Sequence, residues 1–278
     1  MFCKHPSLPD WDLKVLSEDE IRQFMELGYV VIREAFPAEL AEQIVDIVWS
    51  RIEPEKDDRS TWTHGRIGLN EFVEGHPFTE VYTERLRGAV NDLLGSERWP
   101  CPNRSGWWPL TFPGFAEKPW HAPEVGWHVD GFHHNTLTAP DQGLLGLMIF
   151  SEIGDGDGGT AVSLGSHKLV TRILAEAGPM GLASQDAGKL INHHRADNVI
   201  EATGSPGDVY LCHPFMRHSA SMNTGDRVRI ITNKCFPLDE PMNLWRDKLE
   251  DFSTVEFSLI EELKECGISL WHPGELVA

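Results

Sequence analysis

The pattern of hydrophobic and polar positions changes twice along this chain of 278 residues. Up to about residue 98, apolar side chains recur at the three- and four-residue spacing of amphipathic helices. From about 99 to 236, short apolar runs alternate with clusters of Gly, Pro, Asn and Asp, a pattern typical of antiparallel strands joined by turns. We therefore predict one domain over 1–278, with a mainly helical part at 13–98, a β core at 99–236 and a helical tail at 237–278.

The first part contains start and stop signals for helices. Ser17 and Glu20 have the spacing of a capping box, and Gly28 is predicted to end the helix that they begin. A short strand is predicted at Tyr29–Ile32, and Pro37 is predicted to begin a second helix. The other elements predicted outside the core are a loop over 53–76 and helices over about 79–94 and 254–266.

The strands of the core are predicted from short apolar runs that lie between turn residues. They cover 107–112, 126–129, 144–150, 160–164, 199–202, 208–212 and 228–234, with a helical insert at 168–177. Many short strands at this spacing predict a sandwich or barrel of antiparallel strands, with the helices packed outside it.

The composition limits the classes of partner. The 43 Asp and Glu residues outnumber the 24 Lys and Arg residues, which gives a formal net charge of −19. Proteins that bind nucleic acids or anionic lipids are expected to carry basic stripes or patches, so the composition argues against both partners. Five cysteines, an odd number without a C-x-x-C pair, argue against a disulfide framework or a Cys-rich zinc site.

The sequence shows no signal for export or membrane insertion. The first ten residues include two prolines and lack the apolar segment of a signal peptide. The longest apolar run, at 143–150, is far shorter than the ~20 residues of a membrane helix. We therefore expect a cytoplasmic protein.

The segment most informative about chemistry is GWHVDG at 126–131. In an extended strand His128 and Asp130 point to the same face, where an imidazole and a carboxylate are able to bind one metal ion. With one distant His they would complete the 2-His-1-carboxylate face of non-haem Fe(II) oxygenases, which leaves coordination positions open. His-x-Asp pairs are also frequent by chance in a chain with 13 His, so the motif needs support from elsewhere.

A second segment supplies part of that support. A predicted strand at 208–212 runs toward His218, and a return strand then places Arg227 and Arg229 on one face. An arginine inside a β-sandwich needs a partner, and a dicarboxylate would provide one through paired hydrogen bonds. From these residues alone, pairing with an acidic side chain or exposure to solvent remains the favoured interpretation.

Several segments in this order are similar to the phytanoyl-CoA dioxygenase-like family of Fe(II)/2-oxoglutarate oxygenases. They are LSEDEIRQFMELGYVVIREAF, GWHVDG, GDGGTAVSLGSHK, GDVYLCHPFMRHSASMN and the RVR that ends at Arg229. The resemblance spans about residues 13–235. It implies a mainly β fold with flanking helices, built on a double-stranded β-helix (jelly-roll, cupin-like) core.

The resemblance also implies a function and a ligand set. It implies that His128, Asp130 and His218 bind Fe(II), and that Arg229 binds the far carboxylate of the cosubstrate 2-oxoglutarate. Such a dioxygenase uses O2 to hydroxylate or otherwise oxidise an unactivated C–H bond of a small molecule, with release of succinate and CO2. The protein's part is to position the reactants and exclude side reactions.

Some ligand assignments stay open at this point. The family often has Ser two residues past the distal His, where this chain has Ala220, so Ser219 and Thr160 become candidate cosubstrate contacts. His213 is the alternative distal ligand, but five residues separate it from His218, which puts the two on opposite faces of a regular strand. The other histidines considered are His121, His133 and His134 beside the motif, His167 at a helix start, and His193 and His194 in a polar insert.

The substrate is predicted only by class. The acidic composition offers no obvious basic groove for a CoA nucleotide, so we expect a free small molecule, such as a secondary-metabolite intermediate. Aromatic residues that would line an apolar pocket are Trp62, Trp107, Trp108, Trp120, Trp127 and Phe132. Two other functions stay open, namely a zinc hydrolase on the same triad with Glu124 as base and a catalytically silent jelly-roll binding protein. The sequence does not indicate the oligomeric state.

Overall fold

A computed structural model describes residues 7–131 and 134–271 of the protein. The helices in these ranges are α1 (Glu18–Leu27), α2 (Ala38–Trp49), α3 (Glu84–Leu94), α4 (Ser166–Glu176), α5 (Ser184–His193) and α6 (Thr254–Glu265). The strands are β1 (Tyr29–Ile32), β2 (Arg66–Glu74), β3 (Arg104–Thr111), β4 (His134–Asn135), β5 (Leu144–Ile149), β6 (Ala161–Ser163), β7 (Leu182–Ala183), β8 (Val199–Glu201), β9 (Val209–Cys212), β10 (His218–Ser219) and β11 (Arg229–Phe236). No helix within these ranges is long and apolar enough to span a bilayer.

The strands in the described ranges form antiparallel sheets whose neighbours are distant in sequence. The largest sheet has the order β1-β9-β5-β11-β3-β2, a smaller one has the order β10-β6-β8, and β4 pairs with β7. Such crossed connections are typical of a jelly roll, in which strands pass from one sheet to the other. The predicted fold class, a jelly-roll core with flanking helices, is confirmed.

The central strands of the large sheet are buried on both faces, as β5 illustrates. Leu145, Leu147 and Ile149 belong to an apolar cluster that also contains Val162 of the smaller sheet, so this cluster fills the space between the two sheets. Met148 points the opposite way, into the cluster that the large sheet shares with helices α1, α2 and α3. Burial on both faces explains why the sequence of β5 is apolar without alternation.

Helix α1 and its connection to β1 follow the sequence signals closely. Ser17 and Glu20 form the predicted capping box, and Gly28 ends the helix in the left-handed conformation with φ of 84°. A Cβ at Gly28 would lie 2.3 Å from Cε of Met216, so the position needs glycine for space as well as for φ. The predicted helices near α2, α3, α4 and α6 are likewise present.

Two local predictions are wrong, each for a physical reason. The loop predicted over 53–76 contains β2, an edge strand whose largely exposed residues give it a polar sequence. The strand predicted at 126–129 is reduced to a single bridge between His128 and His218, because Gly126 bends the chain with φ of 85°. One helix was not predicted at all, namely α5 in the polar insert, which buries little more than Ala187 and Ile191.

Candidate metal and cosubstrate site

Backbone pairing brings the two histidines of the predicted triad together. His218 begins β10, where it pairs with Val162 of β6. On its other side, His128 and His218 exchange backbone hydrogen bonds of 3.1 and 2.9 Å. Directly paired residues of antiparallel chains project to the same side, so the imidazoles lie next to each other with ring centres 4.3 Å apart.

Asp130 completes a compact group of possible metal ligands. Its Oδ1 lies 3.6 Å from Nε2 of His128 and 3.5 Å from Nε2 of His218. One ligand atom from each of the three residues falls within 4.8 Å of the others. A metal about 2.1 Å from each ligand would separate neighbouring ligands by about 3 Å, so a small contraction suits a divalent ion.

Hydrogen bonds orient both imidazoles for metal binding. Nδ1 of His128 donates to the carbonyl of Gly126 at 2.8 Å, and Nδ1 of His218 donates to that of Met216 at 3.1 Å. A carbonyl can only accept, so the proton is on Nδ1 and the lone pair of each Nε2 faces the centre. Nε2 of His218 is buried and has no hydrogen-bond partner among the described residues. A divalent metal fits this orphaned atom and the donor set around it.

The charges at the triad also favour a bound cation. Burial by itself would raise the pKa of Asp130, but the neighbouring His218 brings it below its usual value. Burial and the neighbouring His218 lower the pKa of His128. Metal ligands must be an ionised carboxylate and neutral imidazoles, and the shifts of Asp130 and His128 favour these forms. Burial would lower the pKa of His218, but the neighbouring Asp130 raises it above its usual value, so this imidazole has to give up its extra proton when it binds a metal.

Arg229 is buried at one end of the same cavity and forms no ion pair with a carboxylate of the described residues. Its Nη1 donates to the carbonyl of Pro109 at 3.1 Å, and its Nη2 donates to Oγ1 of Thr160 at 3.0 Å. Its Nε is buried and has no hydrogen-bond partner among the described residues. Burial and the neighbouring Arg66 cation lower the pKa of Arg229 to about 9. A carboxylate ligand would supply the missing countercharge.

The two hydroxyl residues predicted near the cosubstrate both line the cavity. Thr160 accepts the hydrogen bond from Arg229 and so fixes the direction of the guanidinium. Ser219 instead donates its hydroxyl hydrogen to the carbonyl of Val125 at 3.2 Å. Of the two side chains, Thr160 is therefore the one in direct contact with the predicted carboxylate anchor.

His213 lies away from the triad and has partners of its own. Its Nε2 is 3.1 Å from the hydroxyl of Ser258, and its Nδ1 accepts a hydrogen bond from the backbone of Phe215. Both ring nitrogens are therefore satisfied in a fully buried position. The geometry places His218, rather than His213, beside His128. His134 bonds to the backbone carbonyl of Met180, whereas His133 lies outside the described residues.

The cavity around the triad has a volume of about 990 Å³, but the expected aromatic lining is largely absent. Trp107 does line it. Trp108 is instead in the core against Phe150, and Trp62 packs against Phe112. The indole N–H groups of Trp120 and Trp127 bond within neighbouring loops, and Phe132 lies outside the described residues.

The cavity is also more basic than the acidic composition of the chain suggests. Four cationic side chains line the cavity in the described part of the chain, namely Arg66, Arg104, Arg229 and Lys234. Of these, only Arg229 was a candidate from the sequence. Arg66 lies on the unpredicted strand β2. Lys234 lies on β11, next to Asn233. Asn233 shares the face of Arg229, and its buried Oδ1 has no hydrogen-bond partner among the described residues. A period-two search along the strand of Arg229 would have found Asn233.

Comparison with known proteins gives the family. A sequence model of the phytanoyl-CoA dioxygenase family matches residues 24–231, about three quarters of the chain. No curated protein sequence matches the chain significantly.

Solved structures with a similar fold share little sequence. HygX from Streptomyces hygroscopicus, with nickel, 2-oxoglutarate and hygromycin B bound, has 15% identity and a TM-score of 0.47 over 83% of this chain and 90% of HygX. SnoK, a non-heme alpha ketoglutarate dependent carbocyclase from nogalamycin biosynthesis, has 15% identity and a TM-score of 0.47 over 85% of this chain and 88% of SnoK. The apoform of EctD from S. alaskensis has 16% identity and a TM-score of 0.48, with 90% of each chain covered. The family match, and not these distant similarities, identifies the protein. The chain belongs to the phytanoyl-CoA dioxygenase family and is an Fe(II)- and 2-oxoglutarate-dependent oxygenase.

Proposed function

We propose that the protein is a dioxygenase that hydroxylates, or otherwise oxidises, an unactivated C–H bond of a small molecule. The observation that carries the proposal is the convergence of His128, Asp130 and His218 in one cavity with Arg229. A metal held by the three ligands leaves positions open toward the cavity, and the buried guanidinium supplies the charge for a dicarboxylate.

In this proposal, His128, Asp130 and His218 hold Fe(II). Together with 2-oxoglutarate and O2, the bound iron supplies the oxidising power for C–H cleavage, with release of succinate and CO2. The carbonyl groups of Gly126 and Met216 keep the Nε2 lone pairs of the two imidazoles directed at the metal. Because Asp130 provides a carboxylate at the third position, no halide site is offered there, which disfavours halogenation.

Arg229 would hold the far carboxylate of 2-oxoglutarate. The guanidinium is prevented from turning by its bonds to Pro109 and Thr160, and its unpartnered Nε is free to donate. Burial of the arginine excludes water from this ion pair, which strengthens it. Ser219 lines the same cavity and would contribute a wall rather than a second anchor, since its hydroxyl bonds to the backbone.

The domain organisation, the cellular location and the substrate class are further proposals. We propose a single oxygenase domain, because β1 and β2 of the N-terminal part belong to the same sheet as the core strands. A cytoplasmic location agrees with cysteines that are all free among the described residues. The substrate is a small molecule, since the catalytic group lies in a cavity rather than on an open surface.

The test is an anaerobic titration of metal-free protein with Fe(II) and 2-oxoglutarate, followed by the weak visible charge-transfer band of the chelate. The wild type should develop the band. Asp130→Ala should lose it, and Arg229→Ala should need about ten- to a hundredfold more 2-oxoglutarate, since a charge-assisted hydrogen bond contributes about 1.5–3 kcal/mol.

Arg227→Ala is the matched control for the arginine variant. Arg227 lies two residues before Arg229 but is exposed and pairs with Asp157 at 3.4 Å, so its removal should leave the titration unchanged. Tight binding of zinc without any band would contradict the oxygenase and favour a hydrolase on the same triad. Glu124, the base that such a hydrolase was expected to use, is exposed and does not line the cavity.

A further inference from the structure

The four cations of the cavity lack acidic partners, whereas many cations on the surface have them. On the surface, Arg33 pairs with Asp208 at 2.6 Å, and Arg98 pairs with Glu256 at 3.2 Å. The cations of the cavity are Arg66, Arg104, Arg229 and Lys234. None of them forms an ion pair with a carboxylate of the described residues. Four unpaired cations in one cavity of so acidic a chain are not expected from its composition.

The register of the sheet separates these cations into two groups. Thr111 of β3 is the direct neighbour of both Arg66 on β2 and Arg229 on β11, so these two arginines lie in one row across the sheet. Arg104 lies at the opposite end of β3, seven residues or about 20 Å along the strand. Lys234 lies five residues beyond Arg229 on β11, in the same direction, and this odd separation turns its side chain away from the face of Arg229.

Electrostatic effects agree with this arrangement of the cations. Burial lowers the pKa of Lys234, and the Arg104 cation lowers it further. Burial and then the charge of Asp130 raise the pKa of Cys235, the residue next to Lys234, to about 12. At the other end, Arg66 is near enough to contribute to the lowered pKa of Arg229.

An apolar wall lies beside the Arg104 end. The guanidinium of Arg104 lies over the ring of Phe72 at 4.9 Å, and about half of Phe72 is exposed to the cavity. Trp107 is similarly exposed and has φ of 59°, an unusual value for a bulky residue. It lies opposite a bulge in β2, which turns its side chain toward the cavity.

The net charge of the cavity lining predicts the class of ligand that binds near Arg104 and Lys234. Arg66 and Arg229 face the end where 2-oxoglutarate is proposed to bind, and the charges of Fe(II) and 2-oxoglutarate cancel each other. The two remaining cations, Arg104 and Lys234, are then opposed by only one acidic side chain of the lining, Asp141. The cavity therefore stays positively charged when both cofactors are bound.

We propose that the substrate is an amphipathic organic anion, whose carboxylate or phosphate group is bound by Arg104 and Lys234 and whose apolar part lies against Phe72 and Trp107. This inference rests on the proposed function, because it assigns Arg229 to the cosubstrate. It makes Arg104 and Lys234 binding residues that set specificity. The reacting carbon then lies between the anionic group and the metal.

The experiment measures binding of matched probes to protein loaded anaerobically with Fe(II) and 2-oxoglutarate, by isothermal titration calorimetry. One pair of probes is 4-phenylbutyrate and its uncharged isostere 4-phenylbutyramide. A second pair, 2-phenylethyl phosphate and 2-phenylethanol, distinguishes a phosphate site from a carboxylate site. At least one anion should bind more than about tenfold tighter than its neutral partner, as expected for a charge-assisted contact.

Variants locate the contact. Arg104→Gln and Lys234→Gln should each weaken binding of the anion by about tenfold and leave the neutral probe unchanged. Lys234→Arg should restore the preference for the anion, and Lys189→Gln, which removes an exposed surface cation, should have no effect. Equal binding of anion and neutral partner, no binding of either anion, or a preference that survives the double variant would overturn the inference.

The visible band of the 2-oxoglutarate chelate is recorded in the same samples. Arg104 and Lys234 are distant from Arg229, so all variants should retain the band. A normal band without anion selectivity would refute the substrate class alone. Absence of the band in the wild type would refute the proposed function itself.

Discussion

Replacing Arg229 with methionine separates a role in ligand binding from a role in the fold. The arginine is 2% exposed and pairs with no carboxylate among the described residues. A buried charge without a countercharge is unfavourable for folding, so its retention needs another explanation. Methionine is unbranched and uncharged, and it fills the space of the aliphatic part of the arginine side chain. The free-energy change on substitution therefore measures what the charge contributes to the metal-free protein.

The magnitude follows from the pKa of the guanidinium. Burial lowers it from 12.5 to about 9, which corresponds to about 5 kcal/mol against the charged form in the folded state. The folded state binds the proton less tightly than the unfolded chain, so this destabilisation is complete below pH 9 and disappears as the pH rises toward 12.5. The hydrogen bonds to Pro109 and Thr160 offset about 1 kcal/mol each. We expect Arg229→Met to stabilise the metal-free protein by about 3 kcal/mol.

The assay is urea unfolding at pH 7, followed by circular dichroism, with and without ligands. Saturating metal and 2-oxoglutarate should stabilise the wild type by about 2.7 kcal/mol at a ligand concentration of about 100 times Kd. The Arg229→Met variant should gain much less from 2-oxoglutarate. Arg227→Met should resemble the wild type in both conditions, because Arg227 is exposed.

Two results would refute this reasoning. If Arg229→Met lowered the stability of the metal-free protein by about 2 kcal/mol or more, the guanidinium would be a structural element held by its backbone contacts. If the variant kept the full stabilisation by 2-oxoglutarate, the carboxylate anchor would lie elsewhere. The combination expected here, a more stable protein that no longer responds to the cosubstrate, is characteristic of a residue retained for ligand binding.

Further predictions concern the fold around the site. His213→Ala should lower the free energy of unfolding by about 2–4 kcal/mol, because packing and two hydrogen bonds are lost. Fe(II) binding measured by equilibrium dialysis should stay unchanged, and a loss of bound iron would make His213 a ligand. Burial lowers the pKa of His167 to about 4, so on acidification the unfolded chain binds a proton at a higher pH than the folded protein does. Lowering the pH from 7 to 4 should therefore destabilise the protein by about 3 kcal/mol through His167. His167→Gln should remove that part of the pH dependence in urea titrations, and an unchanged dependence would argue against it. Gly106→Ala should lower the melting temperature by several degrees, because the added Cβ would lie 2.1 Å from the carbonyl oxygen of Glu71. An unchanged melting temperature would show that the backbone at the β2 bulge moves to make room.

The parts of the site that could be predicted are those encoded locally or by a familiar motif. His128 and Asp130 are two residues apart, so even a bend at Gly126 leaves both near the same point. The strand predicted there is wrong, yet the bridge between His128 and His218 keeps the imidazole on the expected side. His218 is far along the chain, and only the resemblance to the family distinguished it from His213.

The parts that could not be predicted depend on which strands become neighbours. Arg66 reaches the cavity because β2 adds to the edge of the large sheet, in register with Thr111. The sequence of β2 is polar because an edge strand with exposed faces does not need an apolar pattern. Arg104 and Lys234 come from strands more than a hundred residues apart, so no local pattern shows that they meet.

Net charge was a poor guide to this cavity because it averages over the whole surface. The value of −19 counts every carboxylate, but ionic screening limits an exposed charge to about 8 Å at physiological ionic strength. Charges at a binding site therefore depend on which nearby cations lack partners, and Arg104 and Lys234 lack them. An extended polyanion would face the acidic surface along much of its length. A small anion inside the cavity contacts only its lining, so an acidic protein that is unsuited to nucleic acids remains well suited to an anionic substrate.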